Sequence, residues 1–330
     1  AEFVKDFNAS KSALALNNIH YGYKDQLVHP LVWMIGVSSE NYQPGDVITV
    51  TDKVAVGFEF VSDSAIVHIG SGDYYISANA DYQSQLTVTE SADGSQVTFS
   101  VVVNDKMIAA LTTGNLYTIK IAYITNMTDE EHLAFETSTS AVTYTNTASV
   151  KVNTESPIEI SSSQTLMPNP QNLVAKGVTS SGQEADKNFY AYYSVVINGE
   201  ELPLNGGNNM TATDTLGSNL TLVGTPVITP NDSGEVATYS GNTITFANLK
   251  DSTRYTITYK VKVKQIFKND VYTDEKIADM FSNSISVGVN GGTSVSSEFL
   301  IDESTYRSQG EYRHDEMKSS ITISGTKSWI

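Results

Sequence analysis

Three residues with reactive side chains stand inside runs that otherwise read as buried β-strand. Lys176 lies in Leu173-Val-Ala-Lys-Gly-Val178, Asp214 closes Met210-Thr-Ala-Thr-Asp214, and Asn283 lies in Phe281-Ser-Asn-Ser-Ile-Ser-Val287. Period-two geometry puts Lys176 on one face with Val174 and Val178. A charge on such a face is costly unless it is paired or neutralised, and burial lowers a lysine pKa while raising that of an aspartate. Together these shifts produce a neutral amine, which is a nucleophile, and a protonated carboxylic acid, which donates to an amide oxygen and stabilises the developing oxyanion. With a carboxamide as third partner the chemistry is condensation: ammonia leaves and a Lys–Asn isopeptide bond remains.

The same order occurs earlier in the chain. Gly45-Asp-Val-Ile-Thr-Val-Thr-Asp52 aligns without a gap on Gly207-Asn-Asn-Met-Thr-Ala-Thr-Asp214, and Asn146 lies in Tyr144-Thr-Asn-Thr-Ala-Ser-Val150. The lysine has two candidates. Lys5, in Phe3-Val-Lys-Asp-Phe7, is preferred because large apolar residues flank it at ±2. Lys11 has only Ala9 and Ala13 there, although its 41-residue spacing to Asp52 is nearer the 38 from Lys176 to Asp214. Asp52 and Asp214 are therefore expected as the promoting acids. Lys176–Asn283 and Lys5–Asn146 are the expected crosslinks, with Lys11 as the alternative to Lys5.

Other constellations are weaker. The histidines at 20, 29, 68, 132 and 314 show no metal-ligand spacing. Acidic loops at Asn231-Asp-Ser-Gly234 and Asp270 to Asp274 offer at most a structural Ca²⁺ site, since no twelve-residue loop has the required pattern. No other cofactor is expected. The chain has no Gly-Lys-Ser/Thr phosphate loop and no G-x-S-x-G elbow. A self-directed crosslink is a single turnover, so the chain is not expected to be an enzyme.

The elements that must position these residues are strands. Val47–Thr51, Gln96–Val103, Tyr117–Tyr123 and Tyr255–Val263 alternate with period two and are rich in Val, Ile, Thr and Tyr. Turn clusters such as Pro44-Gly-Asp46, Ala92-Asp-Gly94 and Ser240-Gly-Asn242 separate them, the pattern of antiparallel sandwiches. Asp129–Phe135 and Asp274–Phe281 read as short connector helices. Tyr117-Thr-Ile and Tyr255-Thr-Ile add a further repeat anchor, so the chain reads as two copies of one β-module. The first is longer between Asp and Tyr, 65 residues (52 to 117) against 41 (214 to 255), which places an insertion between Phe58 and Leu116. The expected division is 1–153 for the first module and 172–290 for the second. Glu155 to Gln171, with Pro157, Pro168 and Pro170, reads as a linker. Residues 291–330 read as an extension ending in the first strand of a further module, so the chain is expected to be a piece of a longer protein.

Composition narrows the setting. The 330 residues carry 20 Lys+Arg against 37 Asp+Glu, a formal charge of −17, and no cysteine. The acid excess disfavours nucleic acid and anionic membrane surfaces. The absence of cysteine removes disulfides, thiolate metal sites and thiol nucleophiles.

A lysine on the first strand, Thr213-Asp-Thr-Leu216 in mid-module and Tyr144-Thr-Asn-Thr-Ala-Ser-Val150 on the last strand resemble the isopeptide-forming immunoglobulin-like modules of Gram-positive surface adhesins. Ile323-Ser-Gly-Thr-Lys-Ser-Trp329 is similar to the opening of the B-type stalk repeats of collagen adhesins, with Lys327 as the next crosslinking lysine. The resemblance implies an all-β chain of two tandem DEv-IgG-type sandwiches on a cell-wall-anchored extracellular protein. It also implies a monomeric adhesin head, without membrane insertion, that binds a host extracellular-matrix protein, glycoprotein or glycan. The alternative is a purely structural stalk or pilus module with no ligand. The insertion in the first module favours the head, since binding sites concentrate on loops.

Overall fold

The computed structural model of the chain describes residues 5–15, 27–70, 78–138, 140–232, 234–289, 292 and 294–310. The chain divides into two compact units, Ala1–Pro168 and Asn169–Ile330. Both are all-β sandwiches of immunoglobulin-like type, as the alternating runs predict.

In the first unit the order is β1 (Asn8–Ala15), β2 (Leu31–Ser38), β3 (Val47–Lys53), β4 (Phe58–Phe60), β5 (Ile66–Ile69), helix α1 (Ala80–Gln83), β6 (Leu86–Glu90), β7 (Gln96–Val102), α2 (Asp105–Gly114), β8 (Thr118–Met127), α3 (Asp129–Glu136), β9 (Val142–Val152) and β10 (Ile158–Leu166). One sheet runs β1-β2-β8, with β4 and β5 sharing the far edge of β8, and the facing sheet runs β10-β9-β3-β7-β6. Trp33, Ile35, Ile119, Ile121 and Tyr123 from one sheet meet Ile48, Val50, Val97, Phe99 and Val150 from the other in a continuous core.

The second unit repeats this plan with β11 (Val174–Gln183), β12 (Phe189–Ile197), β13 (Met210–Leu216), β14 (Leu220–Thr229), β15 (Val236–Ser240), β16 (Thr243–Leu249), β17 (Tyr255–Val263), α4 (Asp274–Phe281), β18 (Ser282–Gly288), β19 (Ser294–Leu300) and α5 (Glu303–Tyr306). Its sheets are β11-β12-β17-β14 and β15-β16-β13-β18-β19. The repeat anchors Gly45 and Gly207 share a positive φ, 93° and 85°, a conformation that favours glycine.

The two expected connector helices are α3 and α4. Each begins at a threonine, Thr128 or Thr273, whose hydroxyl accepts from the backbone N–H three residues on, at 3.3 Å in both. The first unit adds α1 and α2. The latter fills the β7–β8 connection, where the second unit has only the turn 250–254. Asn104 caps α2 by accepting from the Met107 N–H, and Met107 and Leu111, one turn apart, bury its inner face.

Two expectations about connections are corrected. The segment read as a linker contains β10, paired along β9 from Ile158↔Val150 to Leu166↔Val142. Its prolines flank the ladder rather than interrupt it, and Ile158, Ile160 and Leu166 pack on the core. Likewise residues 294–300, assigned to the extension after 290, form β19, the edge strand beside β18 in the second unit's sheet. The terminal Ile323–Trp329 run with Lys327 lies outside the described residues. Among the described residues no helix is long and apolar enough to cross a membrane.

Candidate crosslinking sites

Strand register builds the same site twice. On β1, Lys11 stands opposite Ile35, two residues from Trp33, and on β11 Lys176 stands opposite Val195, two residues from Tyr193. Across the next ladder Trp33 faces Tyr123 and Tyr193 faces Tyr259. In the opposing sheet Asp52 lies between Val97 and Ala148, while Asp214 lies between Ile244 and Ile285. Asn146 and Asn283 sit two residues before Ala148 and Ile285, on the same inward face. Each lysine therefore crosses the sandwich core from one sheet to meet an aspartate and an asparagine of the other.

The side chains of Lys11, Asp52, Lys176 and Asp214 are fully buried, as are Asn146 and Asn283. Lys11 Nζ donates to Asp52 Oδ2, and Lys176 Nζ donates to Asp214 Oδ2. The ammonium stems lie beneath aromatic rings. Lys11 Nζ is 5.6 Å from the centroids of both Trp33 and Tyr123, and Lys176 Nζ is 5.4 Å from Tyr193 and 5.6 Å from Tyr259. Desolvation lowers both lysines against the opposing pull of their aspartates, Lys176 to about 8. Desolvation also raises Asp214. Those directions are the ones amine attack on a carboxamide needs.

In the second unit the polar groups form a closed chain. Lys176 Nζ donates to Asn283 Oδ1 at 2.6 Å, Asn283 Nδ2 donates to the Tyr259 hydroxyl at 2.8 Å, and that hydroxyl donates to Asp214 Oδ2 at 2.7 Å. Asp214 Oδ1 has no partner. A buried carboxylate oxygen without a donor is costly as an anion and far less so as a hydroxyl, in keeping with the raised pKa. In the first unit Tyr123 takes the central place: its hydroxyl accepts from Lys11 Nζ at 3.1 Å and from Asn146 Nδ2 at 3.3 Å. Asn146 Oδ1 and Asp52 Oδ1 are without partners.

Lys5, the preferred lysine on sequence grounds, is not brought to Asp52. Its Nζ reaches Asp46 Oδ2 at 2.8 Å and the Asn41 carbonyl at 2.5 Å, at the edge of the unit. Large neighbours in sequence were a poor guide, because Lys5 precedes β1 and burial of a lysine stem depends on what covers it from adjacent strands. Ala9 and Ala13 are small enough to let the Lys11 stem run beneath Trp33 and Tyr123.

Tyr123, Tyr259, Trp33 and Tyr193 complete the site and were not singled out from sequence. The signal was present: a tyrosine precedes Asn146 by 23 residues and Asn283 by 24. It was hidden by the Tyr117/Tyr255 anchor, which is two residues out of register. Val37↔Ile119 and Ile197↔Tyr255 are the equivalent pairs, so Tyr255 corresponds to Ile119, and Tyr117 is 48% exposed. A slip of two keeps every side chain on its face, so alternation alone cannot detect it.

No family model and no curated protein matches the chain. Among solved structures it is similar to a collagen adhesin (CNA) from S. aureus, with 12% identity over 89% of this chain and 91% of that one, TM-score 0.26. It is also similar to the collagen-binding domain of the Erysipelothrix rhusiopathiae surface protein RspB, with 14% identity over 82% and 88%, TM-score 0.26. A third is the full-length major pilin SpaD from Corynebacterium diphtheriae, with 10% identity over 93% and 67%, TM-score 0.31. Identities and TM-scores are low, and the tandem immunoglobulin-like fold stands on the sheets and registers described above.

Proposed function

We propose that each unit closes an intramolecular Lys–Asn isopeptide bond, Lys11–Asn146 in the first and Lys176–Asn283 in the second, promoted by Asp52 and Asp214. The observation that carries this is the recurrence of buried lysine, aspartate and asparagine at identical register in two copies. The neutral lysine amine attacks Asn Cγ while the protonated aspartate donates to Oδ1. The tetrahedral species then collapses, ammonia leaves with the amine's proton, and the acid is restored. The intact mass should fall short of the sequence mass by two ammonia molecules, and Asp52→Ala or Asp214→Ala should each restore one. An unshifted mass overturns the proposal.

On this reading, supported by the motif resemblance, the chain belongs to a cell-wall-anchored surface protein of a Gram-positive bacterium and forms an adhesin head for a host extracellular-matrix protein or glycoprotein. The first unit carries what a pure spacer would not need: α1, α2 and a cleft of about 490 Å³ lined by Phe60, Asp63, Ala65, Leu86, Val88 and Glu90. Replacing 105–114 by a turn like 250–254, and separately substituting Leu86 and Val88 by Ser, should abolish binding in a solid-phase screen of matrix proteins and mucin glycoproteins. Binding unaffected by either change, or to none of the ligands, would favour the stalk or pilus reading, which rests on the tandem crosslinked units alone.

A further inference from the structure

Two histidines without sequence spacing for a metal converge in the first unit. His29 lies in the segment entering β2, which is tied to the end of β8 by Val28 N–H donating to Asn126 Oδ1 at 2.6 Å and Met127 N–H donating to the Val28 carbonyl at 3.0 Å. That tether places His29 over α3, which follows β8 directly. His132 and Glu136 sit one turn apart on α3 and share its inward face. His29 Nε2 is 2.8 Å from Glu136 Oε1, His132 Nε2 is 3.7 Å from the same oxygen, and all three ligand atoms lie within 4.8 Å of one another. The longer separation exceeds a hydrogen bond. It is close to the ~3.3 Å expected between two donors bound to one tetrahedral ion at about 2.0 Å.

Three features set the cluster apart from ordinary packing. The Glu136 side chain is fully buried in the last turn of a helix, where the dipole disfavours an acid, and that turn itself carries no basic residue. His29 holds a positive φ of 43°, a strained conformation for a residue with a Cβ. The second unit, aligned through Thr128/Thr273 and Trp33/Tyr193, has Phe189, Ile277 and Phe281 at the corresponding positions. The fold is thus satisfied by hydrocarbon at these places, and the first unit's imidazoles and carboxylate are not a requirement of the sandwich.

We propose that His29, His132 and Glu136 bind a divalent transition ion of borderline softness, zinc foremost, with solvent reaching the open fourth position along the partly exposed His29 ring. Two imidazoles and one carboxylate suit such an ion better than Ca²⁺, which prefers six to eight oxygen ligands. The test is calorimetric titration of the EDTA-treated, desalted chain with ZnCl₂ alone, with Co²⁺ absorption as a second readout. One ion per chain at micromolar affinity or tighter is expected, together with the visible band of tetrahedral Co²⁺. His132→Ala and Glu136→Gln should each weaken binding at least tenfold. Because Glu136→Gln risks misfolding, His29→Ala provides a second arm at a residue that is already part exposed; it should retain the native circular-dichroism spectrum and lose the cobalt band. No binding, or binding of equal strength in the His29→Ala and His132→Ala chains, would overturn the site and leave the cluster as a histidine–carboxylate hydrogen bond.

Discussion

The two proposed crosslinking sites share a register and differ in which group stands at their centre. In the second unit Lys176 touches the Asn283 carboxamide directly, and Tyr259 links that carboxamide to Asp214. In the first, the Tyr123 hydroxyl receives both Lys11 and Asn146, and the Asn146 oxygen is left without a partner. The second arrangement is pre-organised for attack, with the amine already on the carboxamide. The first requires Lys11 to leave a tyrosine. Identical residue types at identical positions thus define a site, while the hydrogen bonds among them set how readily it reacts.

The comparison breaks most sharply on the lysines. Lys11→Ala and Lys176→Ala should each restore one ammonia of mass and destabilise their own unit by about 4–5 kcal/mol, the entropy of a loop of a hundred or more residues. Lys5→Ala should leave the shortfall of two ammonia molecules unchanged; mass spectrometry that finds an ammonia restored there would return the first crosslink to Lys5. Next in size are the tyrosines. Tyr259→Phe should cost about 1–3 kcal/mol in the uncrosslinked unit and slow bond formation. Tyr123→Phe, which removes longer contacts and frees Lys11, should cost less and accelerate closure of the first bond. Time-resolved mass spectrometry of each refolded unit distinguishes the two, and equal effects would erase the difference drawn above.

A smaller effect is read from pH. Lys176 is held down to about 8 in the folded unit against an ordinary 10.5, so between these values the unfolded chain holds more protons and stability rises with pH. In the uncrosslinked Asn283→Ala chain, unfolding free energies from urea melts should therefore climb from pH 8 to 9.5 by on the order of 1 kcal/mol relative to the same chain carrying Lys176→Met. A flat difference would mean that the lysine is not desolvated. Smallest of all, Tyr117→Ala should change stability by no more than ~0.5 kcal/mol. Tyr255→Phe, which strips a hydroxyl bonded to Lys250 N and Glu235 Oε1, should cost about 1 kcal/mol. Thermal melts that rank these two the other way would reinstate the Tyr117/Tyr255 alignment.

Much of this was legible in the chain. Alternation located the central strands, and the Gly–Asp anchors aligned β3 on β13 without error. The runs Asp129–Phe135 and Asp274–Phe281 located α3 and α4. What escaped did so for physical reasons. β10 alternates with serine and threonine rather than with strong β-formers, and its flanking prolines imitate a linker. The inner face of α2 shows only two buried residues, Met107 and Leu111, too few to stand out inside an insertion. His29 and His132 are about a hundred residues apart, and the tether of Val28 to the end of β8 that brings them together is not visible in sequence. Lys11 ranked second to Lys5 because near-sequence neighbours are visible in sequence and cross-strand cover is not.

The position of the asparagines on β9 and β18, each followed by one more strand, has a mechanical consequence. Once Lys176 and Asn283 are joined, tension along the chain passes through the new bond and bypasses the 107 residues between them. At about 3.3–3.6 Å per extended residue, roughly 350–390 Å of chain is withheld from stretching. β19 lies outside that covalent ring, held to β18 by ladder hydrogen bonds and to the rest of the unit by non-covalent packing such as Phe299 edge-on against Tyr193. Under load it can peel away and reseal while the core stays shut, so each unit would yield through a short reversible strand and resist through a closed loop.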